Sequence, residues 1–215
     1  MKPDSSATVE RMAQAFDDLL SRLAKTYPRD YPPQTLAEMR AAWPLERLME
    51  AHAQVWFNGE MLTLRAHSSF SSLADPDALQ VHLAPDADDA SVGEALVEVW
   101  AHSGALTLGD LGGMLDTPTL QEMKARHDRW LQGLMQRHGY KTARKLLTNM
   151  RLCRANRLAT TVDFEATDHD RLDGWSGIAG LAHVVLPRDV QASRLGAAVR
   201  EALSLCRDSH QSKKR

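Results

Sequence analysis

The stretch SVGEALVEVWAHSG at residues 91–104 recurs near the end of the chain as RLGAAVREALSLCR at residues 194–207. Each copy follows a short run that is typical of a β-strand, VHLA at 81–84 and VVLP at 184–187. An offset of 103 residues aligns the two units, and in both helices apolar positions recur at the i, i+3, i+4 and i+7 spacing of a single buried face. The repeated unit is therefore a strand, an acidic turn and an amphipathic helix.

Two glycines, Gly93 and Gly196, occupy equivalent positions in the first turns of these helices. Because glycine has no Cβ, it lets a helix approach a neighbouring element closely, and we expect each helix to sit close to the sheet. The duplication, over 81–103 and 184–206, predicts two similar packing units in one sheet. By itself it names no activity.

The segment between the two repeats and the segment before them also show β and helical patterns. The run VWFNGEMLTLRAH predicts two strands around Asn58-Gly59, a dipeptide that supplies the positive φ angles of a tight hairpin turn. Thr117-Pro118 provides an N-cap and a first-turn proline for a long helix to about residue 138, and 141–151 continues as helix. β-Branched residues at 158–166 predict a further strand.

These patterns predict a single α+β domain over residues 54–208, with a mixed, mostly antiparallel sheet and helices packed on it. The apolar stripe at 8–25 and the helical runs around Pro44 predict a helical N-terminal extension over residues 1–53. Residues 209–215 are expected to form a polar basic tail.

Composition limits the class of protein. The chain has 215 residues, 43% of them hydrophobic, and a formal net charge of -2, so it can fill a core and has no overall attraction to nucleic acid or membranes. Its two cysteines, Cys153 and Cys206, cannot build a disulfide framework, and no apolar run approaches the length of about 18 residues that a membrane span needs. We expect a cytoplasmic protein.

A search for catalytic and metal-binding motifs finds none that is complete. GWSGI at 174–178 has Ile178 where a nucleophile elbow requires glycine, and LGDLGG at 108–113 lacks the spacing of a phosphate-binding loop. The nine histidines form no H-x-x-x-H pair, and neither cysteine lies in a C-x-x-C motif. We therefore expect no catalytic residue, no metal and no cofactor, and hence no enzyme.

Charge is distributed unevenly along the chain. Residues 66–123 contain ten carboxylates and no lysine or arginine, whereas 124–157 contain ten cations against Asp128 alone. The two blocks could neutralise one another, the basic block could bind nucleic acid, or the acidic block could meet a cationic partner. Only Trp130 and Tyr140 are interleaved with the basic residues as stacking platforms, which weakens the nucleic-acid interpretation.

A second acidic run, DFEATDHDRLD, occupies residues 163–173. Asp168, Asp170 and Asp173 have part of the spacing of a calcium loop, but the glycine and the terminal glutamate of that loop are missing. The run therefore predicts a solvated acidic turn.

The order and spacing of these elements resemble the immunity proteins of bacterial contact-dependent growth inhibition systems over residues 54–207. The motifs that carry the resemblance are the paired helices of LG-x-A type, Tyr140-Lys141 with the later Asn149-Met150, and the turn from Gly174 to Gly177. Residues 1–53 lie outside the match, and Val99-Trp100 stands where a smaller pair is expected.

The resemblance implies a small cytoplasmic protein that binds the C-terminal toxin domain of its cognate effector, one to one, without catalysis. Toxins of such systems are commonly nucleases, and a surface that holds phosphates is cationic, so an acidic inhibitor would complement it. We expect no nucleic acid or membrane as partner; the alternative is a nucleic-acid-binding or regulatory module that uses 124–157. The predicted partner-binding residues are Asp75, Asp77, Asp86, Asp88, Asp89, Asp168, Asp170, Asp173 and Trp175.

Overall fold

The structure is a computed structural model that describes residues 51–67, 78–103, 117–158 and 160–212. It also describes five single positions near the N-terminus, all helical: Asp17, Asp18, Ser21, Lys25 and Ala37. The other residues of 1–50 lie outside the described residues, and so do Asp75 and Asp77 of the acidic block.

Seven strands and the helices between them make up the described part of the chain. The strands are β1 (Ala51–Phe57), β2 (Leu62–His67), β3 (Gln80–Leu83), β4 (Arg151–Arg157), β5 (Thr161–Arg171), β6 (Gly174–Gly177) and β7 (Val184–Pro187). The helices are α1 (Asp89–Ala101), α2 (Thr117–His138), α3 (Ala143–Leu147), α4 (Ala192–Leu205) and the short α5 (Ser209–Ser212).

One sheet contains all seven strands. Its order is β3-β2-β1-β4-β5, and β5 then pairs with both β6 and β7. These strand pairings are antiparallel, and a single parallel bridge joins Asp168 to Arg207. The predicted α+β class with a mostly antiparallel sheet is confirmed.

The predicted β1–β2 hairpin is also confirmed, and its turn is tied to the helices. Gly59 has φ of 91°, the left-handed region that glycine enters without steric cost. The Asn58 side chain accepts hydrogen bonds from the backbone N–H groups of Glu60 and Met61, and donates to the Tyr140 hydroxyl and the Leu146 carbonyl. Asn58 and Tyr140 therefore connect the hairpin to the α2–α3 segment.

The sheet has a hydrophobic core on each face. Because successive residues of a strand point to opposite faces, Val55 and Cys153 pack on one side, and their neighbours Trp56 and Leu152 pack on the other. The first core lies under α1 and α4, and the second lies under α2 and α3. Trp100, larger than the resemblance predicts, fills the first core and donates to the Ala155 carbonyl at 3.1 Å.

The two repeated helices pack against each other through their glycines. A Cβ on Gly93 would lie 1.8 Å from the carbonyl oxygen of Ala192, and one on Gly196 would lie 1.9 Å from that of Asp89. The expectation that each glycine brings its helix close to the sheet is wrong. Each glycine instead brings its helix close to the first turn of the other helix.

Other sequence-based expectations are corrected at the level of elements. Strand β1 begins at Ala51, before the predicted entrance at residue 54, and residues 209–212 of the predicted tail form α5. The acidic run 163–173 is mostly strand β5, and not a solvated turn. Its Asp163 is 7% exposed and contacts His183 at 2.8 Å. A partner that is distant in sequence thus allows this acidic residue to be buried, although the composition of the run predicts exposure.

Candidate functional site

The helices of the two charged blocks lie on opposite faces of the sheet, whereas Arg151 and Arg157 of β4 lie on the α1 and α4 side, near the Leu203 carbonyl and the Trp100 ring. Helix α1 of the acidic block covers the first core, whereas α2 and α3 of the basic block cover the second. Their charged side chains therefore face away from each other across the sheet, which argues against neutralisation between these helices. The exposed cations of the basic block are Lys124, Arg126, Arg129, Arg137, Lys141, Arg144, Lys145 and Arg151.

Three predicted aspartates lie in the turn between β3 and α1. Asp88 is the N-cap of α1, and its Oδ1 accepts a hydrogen bond of 2.7 Å from the backbone N–H of Ser91, which holds the pKa of the carboxyl below its ordinary value. Asp89 forms an ion pair of 2.8 Å with Nε of Arg200, a residue of α4. Asp86 is exposed. Two of these three carboxylates therefore contribute to the fold as well as to the surface.

Helix α1 extends the acidic turn along its exposed side. Glu94 and Glu98 are exposed, Val97 between them is 43% exposed, and α1 contains no basic residue. We call Asp86, Asp88, Asp89, Glu94 and Glu98 the acidic surface. Such an array of carboxylates gives this side of the molecule a negative potential.

The second set of predicted residues does not form one site. Asp168 accepts a hydrogen bond of 3.0 Å from the backbone N–H of Ser209 in α5, whereas Asp173 lies 2.8 Å from Nε2 of His127 in α2. Asp170 forms a long ion pair of 3.7 Å with the adjacent Arg171. Each carboxylate is engaged with a different part of the fold.

Trp175 is a packing residue in β6. Its ring stacks on His169 with centroids 4.6 Å apart and meets Trp56 edge-on at 4.7 Å, and its Nε1 donates to the Met150 carbonyl at 3.2 Å. Contacts on three sides hold this half-buried indole in place. Trp175 therefore stabilises the sheet and is not free to move toward a partner.

Sequence reasoning missed a set of polar side chains on the second face of the sheet. Arg65 is fully buried, with its guanidinium carbon 4.6 Å from the centre of the Trp130 ring. On neighbouring strands, the ring of His52 lies 2.8 Å from the side-chain oxygen of Asn156. The period-two alternation of polar residues in β1, β2 and β4 is the signal that could have identified this face.

The two cysteines of the chain are weak nucleophiles. Burial raises the pKa of both cysteine thiols, that of Cys153 most strongly, so neither is activated as a thiolate. Within the described ranges, no group of three or more His, Cys, Asp or Glu side chains is placed to hold a metal ion. In the same part of the chain, no helix combines the length and apolar character of a membrane span.

Comparisons with known proteins agree on one family. The model of the CDI immunity protein family, CdiI, matches residues 51–206. Immunity protein CdiI-YPIII of Yersinia pseudotuberculosis serotype O:3 (strain YPIII) is 28% identical over 169 residues, which are 73% of this chain and 96% of that protein.

Two solved structures share the fold. One is the CdiA-CT/CdiI toxin and immunity complex from Yersinia pseudotuberculosis, with a TM-score of 0.64 and 26% identity over 74% of this chain and 98% of that one. The other is the protein of unknown function NMB0488 from Neisseria meningitidis, with a TM-score of 0.64 and 24% identity over 77% of this chain and 100% of that one.

Proposed function

Since the chain belongs to the CDI immunity protein family, we propose that it binds the C-terminal toxin domain of a cognate contact-dependent growth inhibition effector and neutralises it. One of the solved structures that it resembles is a complex of a toxin with its immunity protein, and this chain covers 98% of the matched chain. The protein acts in the cytoplasm, forms a one-to-one complex and needs no catalysis of its own. Neutralisation by binding is consistent with the buried, high-pKa thiols.

The acidic surface is the proposed contact, and the toxin is proposed to be a nuclease. The observation that carries this assignment is the exposed Asp86 in the turn before α1, followed by the exposed Glu94 and Glu98 on α1, a helix without a single lysine or arginine. A nuclease must present cations to its phosphate substrate, and complementary charge accelerates association with an acidic inhibitor.

The test uses a variant that removes charge without touching the fold. Asp86→Asn, Glu94→Gln and Glu98→Gln leave the Asp88 cap and the Asp89–Arg200 ion pair intact. Combined in one chain, they should slow association with the cognate toxin domain by about tenfold at low ionic strength, and less at high ionic strength. Melting temperature should change little.

Failure of this variant to slow association would move the proposed contact to the other predicted residues. These are Asp75 and Asp77, which lie outside the described residues, and Asp168, Asp170, Asp173 and Trp175. Because Asp168 and Asp173 have structural partners, each substitution there requires a parallel melting measurement.

The proposed stoichiometric mechanism has its own test. Toxin activity should fall linearly with added protein and reach zero at one equivalent, and light scattering should give the mass of one complex of two chains. Toxin inactivated by a small fraction of an equivalent would indicate turnover and contradict neutralisation by binding alone.

A further inference from the structure

The surface opposite the acidic one contains a row of arginines along α2. We define the basic stripe as Arg126, Arg129, Gly133 and Arg137, and we propose that it binds the phosphate backbone of a nucleic-acid duplex without sequence preference. This proposal goes beyond the immunity function and does not depend on it.

The stripe follows from helical periodicity. At about 100° per residue its four members fall within an arc of about 80°, and from Arg126 to Arg137 the helix rises about 16 Å. All four residues are exposed. The ion pair of Lys124 with Asp128, at 2.9 Å, lies on the other flank of the helix, and the one carboxylate of α2 within the arc is Glu122, about one turn before Arg126.

Gly133 interrupts the arginines at a position where packing does not require a glycine. A Cβ at this position would meet nothing within 4 Å, in contrast to Gly93 and Gly196. Glycine lowers the stability of a helix interior, and its main advantage is that it lets another backbone approach closely. On the basic stripe, Gly133 therefore places no side chain between Arg129 and Arg137 that would keep a phosphate backbone away.

The positive charge of the stripe acts on its surroundings. Burial is the main cause of the lowered pKa of both His82 and His138, and the positive charge of Arg137 lowers both further. Beyond the end of α2 the exposed side chains of Lys141, Arg144 and Lys145 extend the cationic surface. A positive electrostatic potential that repels protons also attracts phosphate groups.

The side chains exposed on this surface favour a nucleic-acid duplex over an acidic protein or an anionic membrane as the partner. The large hydrophobic side chains that are exposed in the described part of the chain are Val97, Leu172, Val185 and Leu205, and none of these belongs to α2 or α3. Protein interfaces depend on apolar or aromatic anchors, and membrane-surface helices insert an apolar face. A duplex backbone requires only cations, because counterion release drives its binding.

Single strands are a poorer fit than a duplex. Their non-specific binding relies on aromatic side chains that stack with bases, and Trp130, the indole of this helix, is 3% exposed. The earlier expectation that nucleic acid is not a partner rested on a neutral total charge and few stacking platforms. It did not anticipate that the helices of the two charged blocks lie on opposite faces of the sheet.

The test measures fluorescence anisotropy of a labelled DNA duplex of about 20 base pairs, in salt from about 50 to 200 mM, with the full chain. Replacing Arg126, Arg129 and Arg137 together by glutamine should lower the slope of log affinity against log salt by about 3 and weaken binding about tenfold or more at the lowest salt. Gly133→Gln, which adds bulk without charge, should weaken binding while melting stays unchanged or rises.

The matched control removes three exposed arginines elsewhere, Arg171, Arg194 and Arg207, also as glutamines. It should retain the parent slope within about one unit, because the lost charges lie off the stripe. The proposal is overturned if the parent does not bind the duplex at low salt, or if both triple variants lose binding equally. Tighter binding to phosphatidylglycerol vesicles, or to a single strand of equal length, would also overturn it. Toxin binding by the stripe variants should stay at the parent level, which separates this proposal from the proposed function.

Discussion

Helices α1 and α4 occupy equivalent places in the repeat. Their buried sides are alike, and their exposed sides differ. Their buried sides share glycine and small apolar residues, and each glycine packs against the other helix. On the outside α1 carries Asp89, Glu94 and Glu98 without any basic residue, whereas α4 carries Arg194 and Arg200 with Glu201. The buried sides of the two helices are therefore the shared scaffold, and the exposed sides are where the two copies differ.

The two helices also differ at one pair of equivalent positions, residue 200 of α4 and residue 97 of α1. Arg200 of α4 reaches Asp89 and the Ala87 carbonyl at the start of α1. The repeat-equivalent residue in α1 is Val97, which is 43% exposed. The duplicated units are therefore related in packing but not in charge.

The largest expected effect concerns the shared glycines. Gly93→Leu or Gly196→Leu places side-chain atoms where a backbone carbonyl already lies, so we expect each to destabilise the fold by at least the upper part of the range of about 1–3 kcal/mol for overpacking. Urea unfolding measures this loss. Gly133→Ala is the control, and it should stabilise by up to about 1 kcal/mol because its Cβ meets nothing. Unchanged midpoints in both leucine variants would contradict the packing of α1 on α4.

A smaller effect is expected at the N-caps, where the two helices differ. Asp88 caps α1 through its side chain, but Gln191, the N-cap of α4, makes no side-chain cap hydrogen bond. Gln191→Asp should therefore stabilise the protein by about 0.5–1 kcal/mol, and Asp88→Ala should lower the melting temperature while Asp88→Asn preserves it. Equal responses to alanine at 88 and 191 would show that the caps are equivalent.

These differences show what sequence reasoning could predict. The β1–β2 hairpin at Asn58-Gly59 and the α2 helix from Thr117 to His138 followed from local signals, and both are confirmed. The partner of Gly93 did not follow, because it is set by a crossing with a helix about 100 residues away. Burial of Asp163 depends on His183 across the β5–β7 pairing, which the acidic composition of its own segment conceals.

The candidate site was predictable only in part, for the same reason. The charge blocks could be counted from the sequence, but their placement on opposite faces depends on which core each helix covers. Asp168 and Asp173 are close in sequence, yet they contact α5 and α2 respectively. Spacing alone cannot show that neighbouring residues of a strand and its turn point to different partners.

The last expected effect on stability concerns acid. His82 in the first repeat lies opposite Thr63 and has a pKa lowered to about 4, mainly by burial, whereas its repeat-equivalent in β7 is Val185, which does not titrate. Between pH 6.5 and about 4 the unfolded state binds a proton that the folded state does not, so stability should fall as the pH drops through this window. In His82→Gln the fall should be smaller. A parent and variant that lose melting temperature in parallel would show that His82 does not contribute.

The most direct test of the account uses the one glutamate that both repeats share on their exposed sides. Glu98 of α1 aligns with Glu201 of α4, and both are exposed, so Glu98→Gln and Glu201→Gln remove the same charge from equivalent positions. The measurement is the association rate of each variant with the cognate toxin domain at low and high ionic strength. We expect Glu98→Gln to slow association severalfold at low salt and Glu201→Gln to leave the parent rate unchanged. Equal rates for the two variants would contradict the assignment of partner recognition to α1.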